Sequence, residues 1–251
     1  MFDLKGKVAI VTGGNGGIGL GMAKGIAACG ANVLVVGRNG EKNAAAVTEL
    51  QAMGVEAEAF VADVTGAAGC QAMAAAAVER FGRIDILVNN AGTNIRKQPE
   101  DYTLEEWHTV IDTNLTATFL CCQAVYPHLK KQGGKIINNG SMMSIFGAAF
   151  AGPYGASKGG VMQLTRSLAT AWAKDNIQVN VVLPGWIDTD LTRRARTDVT
   201  GLHEKVEVRT PAGRWGRPED MSGIAAFLAA PASDFITGTA IPVDGGYSAQ
   251  G

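Results

Sequence analysis

Residues 7–19 read KVAIVTGGNGGIG, a short β-branched run that passes directly into a turn carrying Gly13, Gly14, Gly16, Gly17 and Gly19. The run has the composition of a buried strand, and the glycines that follow suit a turn too tight for side chains. Residues 19–29 (GLGMAKGIAAC) then take on the alanine-rich character of a helix. Strand, glycine turn and helix in that order suit a pyrophosphate: the backbone can approach it closely, and free N–H groups at the helix N-terminus can hold it. Two registers fit the letters, GxGxxG from Gly14 to Gly19 and GxxxGxG from Gly13.

Outward from this unit the same alternation repeats. Residues 32–36 (NVLVV), 58–61 (EAFV), 84–89 (IDILVN), 135–138 (KIIN), 178–183 (QVNVVL) and 239–243 (TAIPV) read as further strands. Most are apolar on both faces, as in a parallel sheet covered by helices on both sides. Helix-like stretches such as 41–53 and 67–81 lie between them. The pattern predicts an α/β fold, a doubly wound parallel sheet of seven strands of Rossmann type. No linker, repeat or break in composition divides the 251 residues, so they read as a single domain. Residues 184–211 are rich in Thr, Arg and Asp, with little apolar period, and are open to two readings, a substrate lid or a mobile surface loop.

Composition narrows the function. A net charge of −1 offers no field for nucleic acid or an anionic membrane, and no stretch is apolar for long enough to span a bilayer. The four cysteines form no CxxC pair and the three histidines are scattered, so no metal site is expected and a reducing cytoplasm is. At the end of the second predicted strand, where a carboxylate would hold the ribose 2′-hydroxyl of NAD, the chain has Gly37 and then Arg38. An arginine fork suits a 2′-phosphate, which favours NADP(H) and leaves NAD(H) open, since a surface arginine in a turn reads the same way.

Tyr154 and Lys158 are four residues apart and share a face if their segment is helical. An ammonium beside a phenol favours phenolate, the adjustment that a tyrosine needs for acid–base work near neutrality. Ser141 lies thirteen residues before Tyr154, at the end of a predicted strand. Together with Thr12-Gly13-x-x-x-Gly17-Ile18-Gly19, Asp63-Val64, Asn89-Asn90-Ala91-Gly92, Asn114 and Pro184-Gly185, this order of motifs resembles the short-chain dehydrogenase/reductase family over the whole chain.

The resemblance implies an oxidoreductase that interconverts a ketone and a secondary alcohol. It makes Tyr154 the acid–base, with Lys158 lowering its pKa and holding the nicotinamide ribose. Ser141 would bind the substrate oxygen, and Asn114 would anchor a water that relays protons to solvent. The cofactor would be lined by Gly13, Asn15, Gly17, Ile18, Gly19, Arg38, Asp63, Val64, Asn90, Gly92, Ile187 and Thr189. A homotetramer is implied too, pairing helices around 103–131 and 155–174. Asn139 departs from the family pattern, which has an apolar residue there; a buried amide needs a partner.

Within the family, residues 92–96 (GTNIR), 141–144 (SMMS), 153–159 (PYGASKG), 176–180 (NIQVN) and 209–216 (RTPAGRWG) are most similar to sugar-acid reductases acting on keto- and deoxy-gluconates. A sugar acid needs a cation, for which Arg96, Arg193 and Arg209 are candidates. Met142, Met143, Ile145 and Phe146 form an apolar wall that also suits bulky ketones. Two rival readings are a 3-oxoacyl-carrier-protein reductase and a dinucleotide sensor without chemistry; the complete Ser-Tyr-Lys set speaks against the second.

Overall fold

The structure, a computed structural model, describes residues 1–250. Its strands are Val8–Thr12 (β1), Asn32–Gly37 (β2), Ala57–Val61 (β3), Ile86–Asn89 (β4), Gly134–Asn139 (β5), Ile177–Pro184 (β6) and Ala240–Val243 (β7). They form one sheet in the order β3-β2-β1-β4-β5-β6-β7, parallel throughout. The predicted doubly wound, single-domain architecture is therefore what forms. Strands β1, β4 and β6 are buried along their full length, as expected where helices cover both faces. Edge strand β3 alternates instead, with Val61 59% exposed.

Helices Gly17–Ala28 (α1), Gly40–Gln51 (α2) and Ala67–Phe81 (α3) follow the first three strands. Leu104–Ile111 (α4) and Ala117–Leu129 (α5) follow β4 and are joined by a π turn at Asp112–Thr116; Gly152–Trp172 (α6) follows β5. On one face α1, α2 and the later helix Ser222–Ala229 (α9) bury Met22, Ile26, Leu50 and Leu228 against the sheet. On the other, α3, α5 and α6 bury Met73, Cys121, Val125 and Leu168. The chain reverses direction across the sheet between β1 and β4, and the crevice at the C-terminal ends of those strands is where such folds bind ligands.

Residues 184–211 are more regular than their composition suggests. They contain two helices, Asp190–Asp198 (α7) and Leu202–Arg209 (α8). Thr189 caps α7 through reciprocal bonding with Thr192, and Asp190 and Arg196 sit at the ends that favour their charges. Ala195, Val199, Leu202 and Val206 recur at helical spacing and pack with Trp215 in a small separate core. Their period is visible in the sequence only once the intervening Thr, Arg and Asp are discounted.

Helix α1 lies unusually close to the start of α9. A Cβ on Gly25 would collide with the Ser222 carbonyl, and the Ser222 hydroxyl donates to the Gly21 carbonyl at 2.8 Å. Gly25→Ala is therefore expected to cost about 1–3 kcal/mol, as overpacking does. Gly223→Ala, on the exposed and open side of α9, should be neutral or stabilising by about 0.5–1 kcal/mol. Chemical denaturation of the two variants separates these outcomes; equal effects would refute the close helix contact.

Candidate active site

The turn after β1 settles which glycines matter. Gly13 and Gly17 take φ of +60° and +49°, which favour glycine. A Cβ on Gly19 would strike the Gly13 carbonyl and the Asn90 side chain. Gly16 is surrounded by open space, so the working register is GxxxGxG from Gly13. No side chain caps α1 and no acid stands in its first turn, which leaves its first N–H groups free for an anion. The residues fit a dinucleotide pyrophosphate.

Thr12 and Asn90 hold this turn. Asn90 Nδ2 donates to the carbonyls of Thr12 and Gly13 at 3.2 and 3.0 Å. The Thr12 hydroxyl, buried, accepts from the backbone N–H groups of Asn90 and Ala91 at 3.0 and 3.1 Å and donates to Val88. The sequence placed Asn90 in the cofactor cleft and had Thr12 only as a letter of the turn motif.

From the turn, a cavity of about 450 Å³ extends past Gly13, Asn15, Arg38, Asp63, Val64 and Gly92. Arg38 is exposed at its rim just beyond β2, with Lys42 nearby. The Asp63 carboxylate accepts from the N–H and hydroxyl of Thr65 at 2.9 and 2.8 Å, which hold its pKa below the usual value; Arg38 adds a smaller pull in the same direction. Asn43, unremarked in the sequence, is fully buried behind Asn15: it accepts from Asn15 Nδ2 at 2.6 Å and donates to the carbonyls of Gly37 and Phe60. A polar residue on the inner side of α2 was the only signal for it.

A second cavity, about 530 Å³, continues from Gly17 and Ile18 past Asn90, Ser141, Tyr154 and Lys158 to Ile187 and Thr189. Thus every residue expected at the cofactor or the chemistry lies along one trench, except Gly19, which is buried in the turn itself, and Asn114, buried behind it.

Tyr154 and Lys158 stand on one face of α6, with Lys158 Nζ 5.7 Å from the Tyr154 ring centroid. The ammonium is 4% exposed and donates to the Asn139 carbonyl at 2.7 Å; burial lowers its pKa from 10.5 to about 8. Burial raises the Tyr154 phenol, while the Ser141 hydroxyl and the Arg96 charge pull it back down. The Tyr-x-x-x-Lys spacing assigns the acidifying charge to Lys158; in the structure the phenol's pKa is raised overall, and the charge that pulls against the rise is that of Arg96, not Lys158. Asn114 sits in the π turn, fully buried. Its side chain accepts from the Thr93 N–H at 2.8 Å and donates to the Thr93 carbonyl and the Ser157 hydroxyl at 3.0 Å each. The Ser157 hydroxyl in turn donates to the Tyr154 carbonyl at 2.8 Å, which ties Asn114 to α6.

Asn139 finds the partner that its burial demands: Nδ2 donates to Asn90 Oδ1 at 2.9 Å. Its Oδ1 has no partner among the described residues.

Beside Ser141 and Tyr154 opens a third cavity, walled by Met142, Met143, Phe150 and Trp186 and containing Asn94 and Arg96. The Arg96 side chain is 10% exposed. Its terminal nitrogens reach Asp198 and the Leu191 carbonyl at 3.3 and 3.2 Å, whereas Nε is buried without a partner among the described residues. The other two candidate cations are elsewhere. Arg193 pairs with Asp188 and Asp190 on the exposed rim of the trench, and Arg209 stacks over Tyr247 and Phe146.

Residues 13–248 match the family profile described as Enoyl-(Acyl carrier protein) reductase. The chain is 42% identical over 251 residues to 2-dehydro-3-deoxy-D-gluconate 5-dehydrogenase of Escherichia coli (strain K12), covering 99% of this chain and 98% of that one. It is 40% identical to gluconate 5-dehydrogenase of Gluconobacter oxydans (strain 621H), covering 99% and 97%. A solved structure of a gluconate 5-dehydrogenase from Burkholderia cenocepacia J2315, in complex with NADP and tartrate, superposes with a TM-score of 0.94 at 39% identity, covering 100% and 98%. The chain belongs to the short-chain dehydrogenase/reductase family. It is an NAD(P)-dependent oxidoreductase acting on a small molecule.

The Thr12 hydroxyl offers a direct test of the turn. Thr12→Val keeps the shape but strands two N–H groups, so stability should fall by about 1–3 kcal/mol and NADPH binding should weaken, while Thr12→Ser restores both. Denaturation and fluorescence titration report the two effects; unchanged binding in the valine variant would remove Thr12 from the site.

Proposed function

We propose that the chain is an NADP(H)-preferring reductase of a sugar acid, interconverting one of its ketone groups and the corresponding secondary alcohol. One observation carries the substrate class: a nearly buried guanidinium, Arg96, stands in the same cavity as Ser141 and Tyr154 with one N–H unpaired. An unpaired buried donor on a cation is matched by a carboxylate. The curated relatives named above act on gluconate or a deoxy-gluconate, as their names state, in line with this reading. The B. cenocepacia relative holds NADP, and Arg38 at the rim of the adenosine-side cavity supports the same cofactor here, with NAD(H) as the weaker choice.

In this reading bound NADPH supplies the hydride to the carbonyl carbon. The Ser141 hydroxyl donates to the carbonyl oxygen and polarises it. Tyr154 gives its phenolic proton to that oxygen as the new C–H bond forms, and in the reverse direction the phenolate takes the proton back. Lys158 holds the nicotinamide ribose and returns a proton to the phenolate. Asn114, linked to α6 through Ser157, positions the route by which Lys158 is reprotonated from solvent.

The segment 184–211 acts as the lid. Arg96 is tied to Asp198 and Leu191 of α7, and the cavity they close over is about 70 Å³ against about 530 Å³ for the trench beside it. Admission of a sugar acid requires α7 to move. Assembly as a homotetramer is supported by apolar side chains left in solvent on α4 and α5, Leu104 at 71%, Trp107 at 39% and Phe119 at 42% exposed. A cytoplasmic location is supported by the free cysteines, of which the Cys70 and Cys121 thiols share a hydrogen bond at 3.5 Å.

Two variants test the reading. Tyr154→Phe should abolish NADPH-dependent reduction of 5-keto-gluconate and spare NADPH binding. In the wild type, burial keeps the phenol protonated through neutrality, so reduction should fall and gluconate oxidation rise as the pH climbs through its titration. Turnover surviving in the phenylalanine variant would overturn the assignment. Arg96→Met should lower kcat/KM for 5-keto-gluconate by about a hundred-fold and that for cyclohexanone by much less, the smaller loss reflecting the charge no longer felt by the Tyr154 phenol. Equal losses on both ketones would refute the carboxylate role.

A further inference from the structure

Arg96 Nε is not the only unpaired polar atom in the substrate cavity. Asn94 Oδ1 is also buried there without a partner among the described residues. One is a donor and the other an acceptor, and burying either unpaired is unfavourable. A ligand that satisfies both must present an acceptor to Arg96 and a donor to Asn94. A carboxylate alone supplies only the first. A hydroxylated acid supplies both.

Asn94 is held by its neighbours. The preceding residue, Thr93, is clamped by Asn114 at both its N–H and its carbonyl, at 2.8 and 3.0 Å. The following residue, Ile95, has its carbonyl bound by the Tyr102 hydroxyl at 2.6 Å. The loop is fixed on either side of the amide, so ordering it on binding costs little. Tyr102 and Asn114 come from separate elements, which makes a chance alignment of this loop with the cavity a poor account of its bonding.

We infer that Asn94 is a specificity-determining residue, whose Oδ1 accepts a hydrogen bond from a hydroxyl group of a hydroxylated acid held by Arg96. This rests on the sugar-acid reading and narrows it: the site selects for hydroxyl groups on the acid, and plain keto acids and simple ketones leave Asn94 unsatisfied. A site built to bind a hydroxyl discriminates strongly against the analogue that lacks it, because the buried partner is then left bare.

The test uses the full chain with NADPH bound, so that the alcohol-state ligand is not turned over. Calorimetry compares D-gluconate with hexanoate, an acid of the same chain length without hydroxyls. The wild type should bind gluconate at least about ten-fold more tightly, and Asn94→Leu should bring the two within about two-fold by weakening gluconate alone. NADPH affinity should be unchanged in the variant, which shows the fold is intact. Asn94→Ala, measured beside it, should close the gap likewise and decides the matter if the leucine variant does not fold. A gap that survives substitution overturns the role of Asn94 and leaves the sugar-acid reading standing. A wild type that binds both acids equally does the same. A wild type that binds neither acid refutes the sugar-acid reading itself, and this inference falls with it.

Discussion

The site depends on keeping an ammonium out of water. Lys158 is almost wholly buried with the Asn139 carbonyl as its bonded partner, and the fall of its pKa from 10.5 to about 8 corresponds to roughly 3 kcal/mol of disfavoured charge. The sheet beneath it is closed by apolar packing on both faces, which withholds water from the ammonium and lowers its pKa. Strands β1, β4 and β6 hold no exposed position, so the strain of one charge falls on a rigid platform. The Tyr154 ring centroid lies 5.7 Å from the ammonium, at the floor of the trench.

Around that lysine the ends of the strands change character. Asn90 binds Asn139 across the gap from β4 to β5, and one residue back Asn89 binds Asn138. Consecutive residues of a strand point to opposite faces, so the two amide pairs sit on opposite sides of the sheet. The Asn89–Asn138 pair continues to Thr165 of α6, and the Asn90–Asn139 pair continues to the glycine turn. The glycine turn, Lys158 and α6 are thereby joined through two strand ends. Asn139, the residue that departs from the usual apolar pattern, contributes both a side-chain bond to the turn and a backbone bond to the lysine. Asn90 meets the donor half of its cost, and Oδ1 stays without a partner among the described residues.

What could be read from the sequence follows the same division. The strands were legible because fully buried parallel strands are apolar along their length, and KVAIVT or QVNVVL admits few other readings. The glycine turn, Tyr154, Lys158 and Ser141 were legible because close backbone approach and acid–base chemistry restrict residue type. The choice between the two glycine registers was not, since only the backbone conformation separates Gly13 and Gly17 from Gly14 and Gly16. Helices α7 and α8 were obscured because charged residues outnumber the apolar ones that face Trp215. Asn43 and Thr12 were missed for another reason: a buried asparagine or threonine looks like any surface one until its partners, far away in the chain, are known. The same holds for choosing Arg96 over Arg193 and Arg209, which differ in burial and not in composition.

The distribution of unsatisfied atoms shows where the fold gives up stability. Six buried side-chain atoms lack a partner among the described residues: Asn89 Oδ1, Asn94 Oδ1, Arg96 Nε, Asn139 Oδ1, Arg196 Nε and Trp215 Nε1. Four lie at the ends of β4 and β5 or in the loop after β4, and the other two lie together where α7 meets Trp215, with the Arg196 guanidinium 3.9 Å from the Trp215 ring. None lies at the N-terminal end of the sheet, where Asp85 is also buried but is bonded by Lys7, Arg83, Gln132 and the Val8 N–H. Both ends bury polar groups; only the ligand end leaves them unpaired. Bonding Arg96 and Asn94 fully within the protein would stabilise the fold and would leave this cavity no unpaired polar atom to offer a ligand.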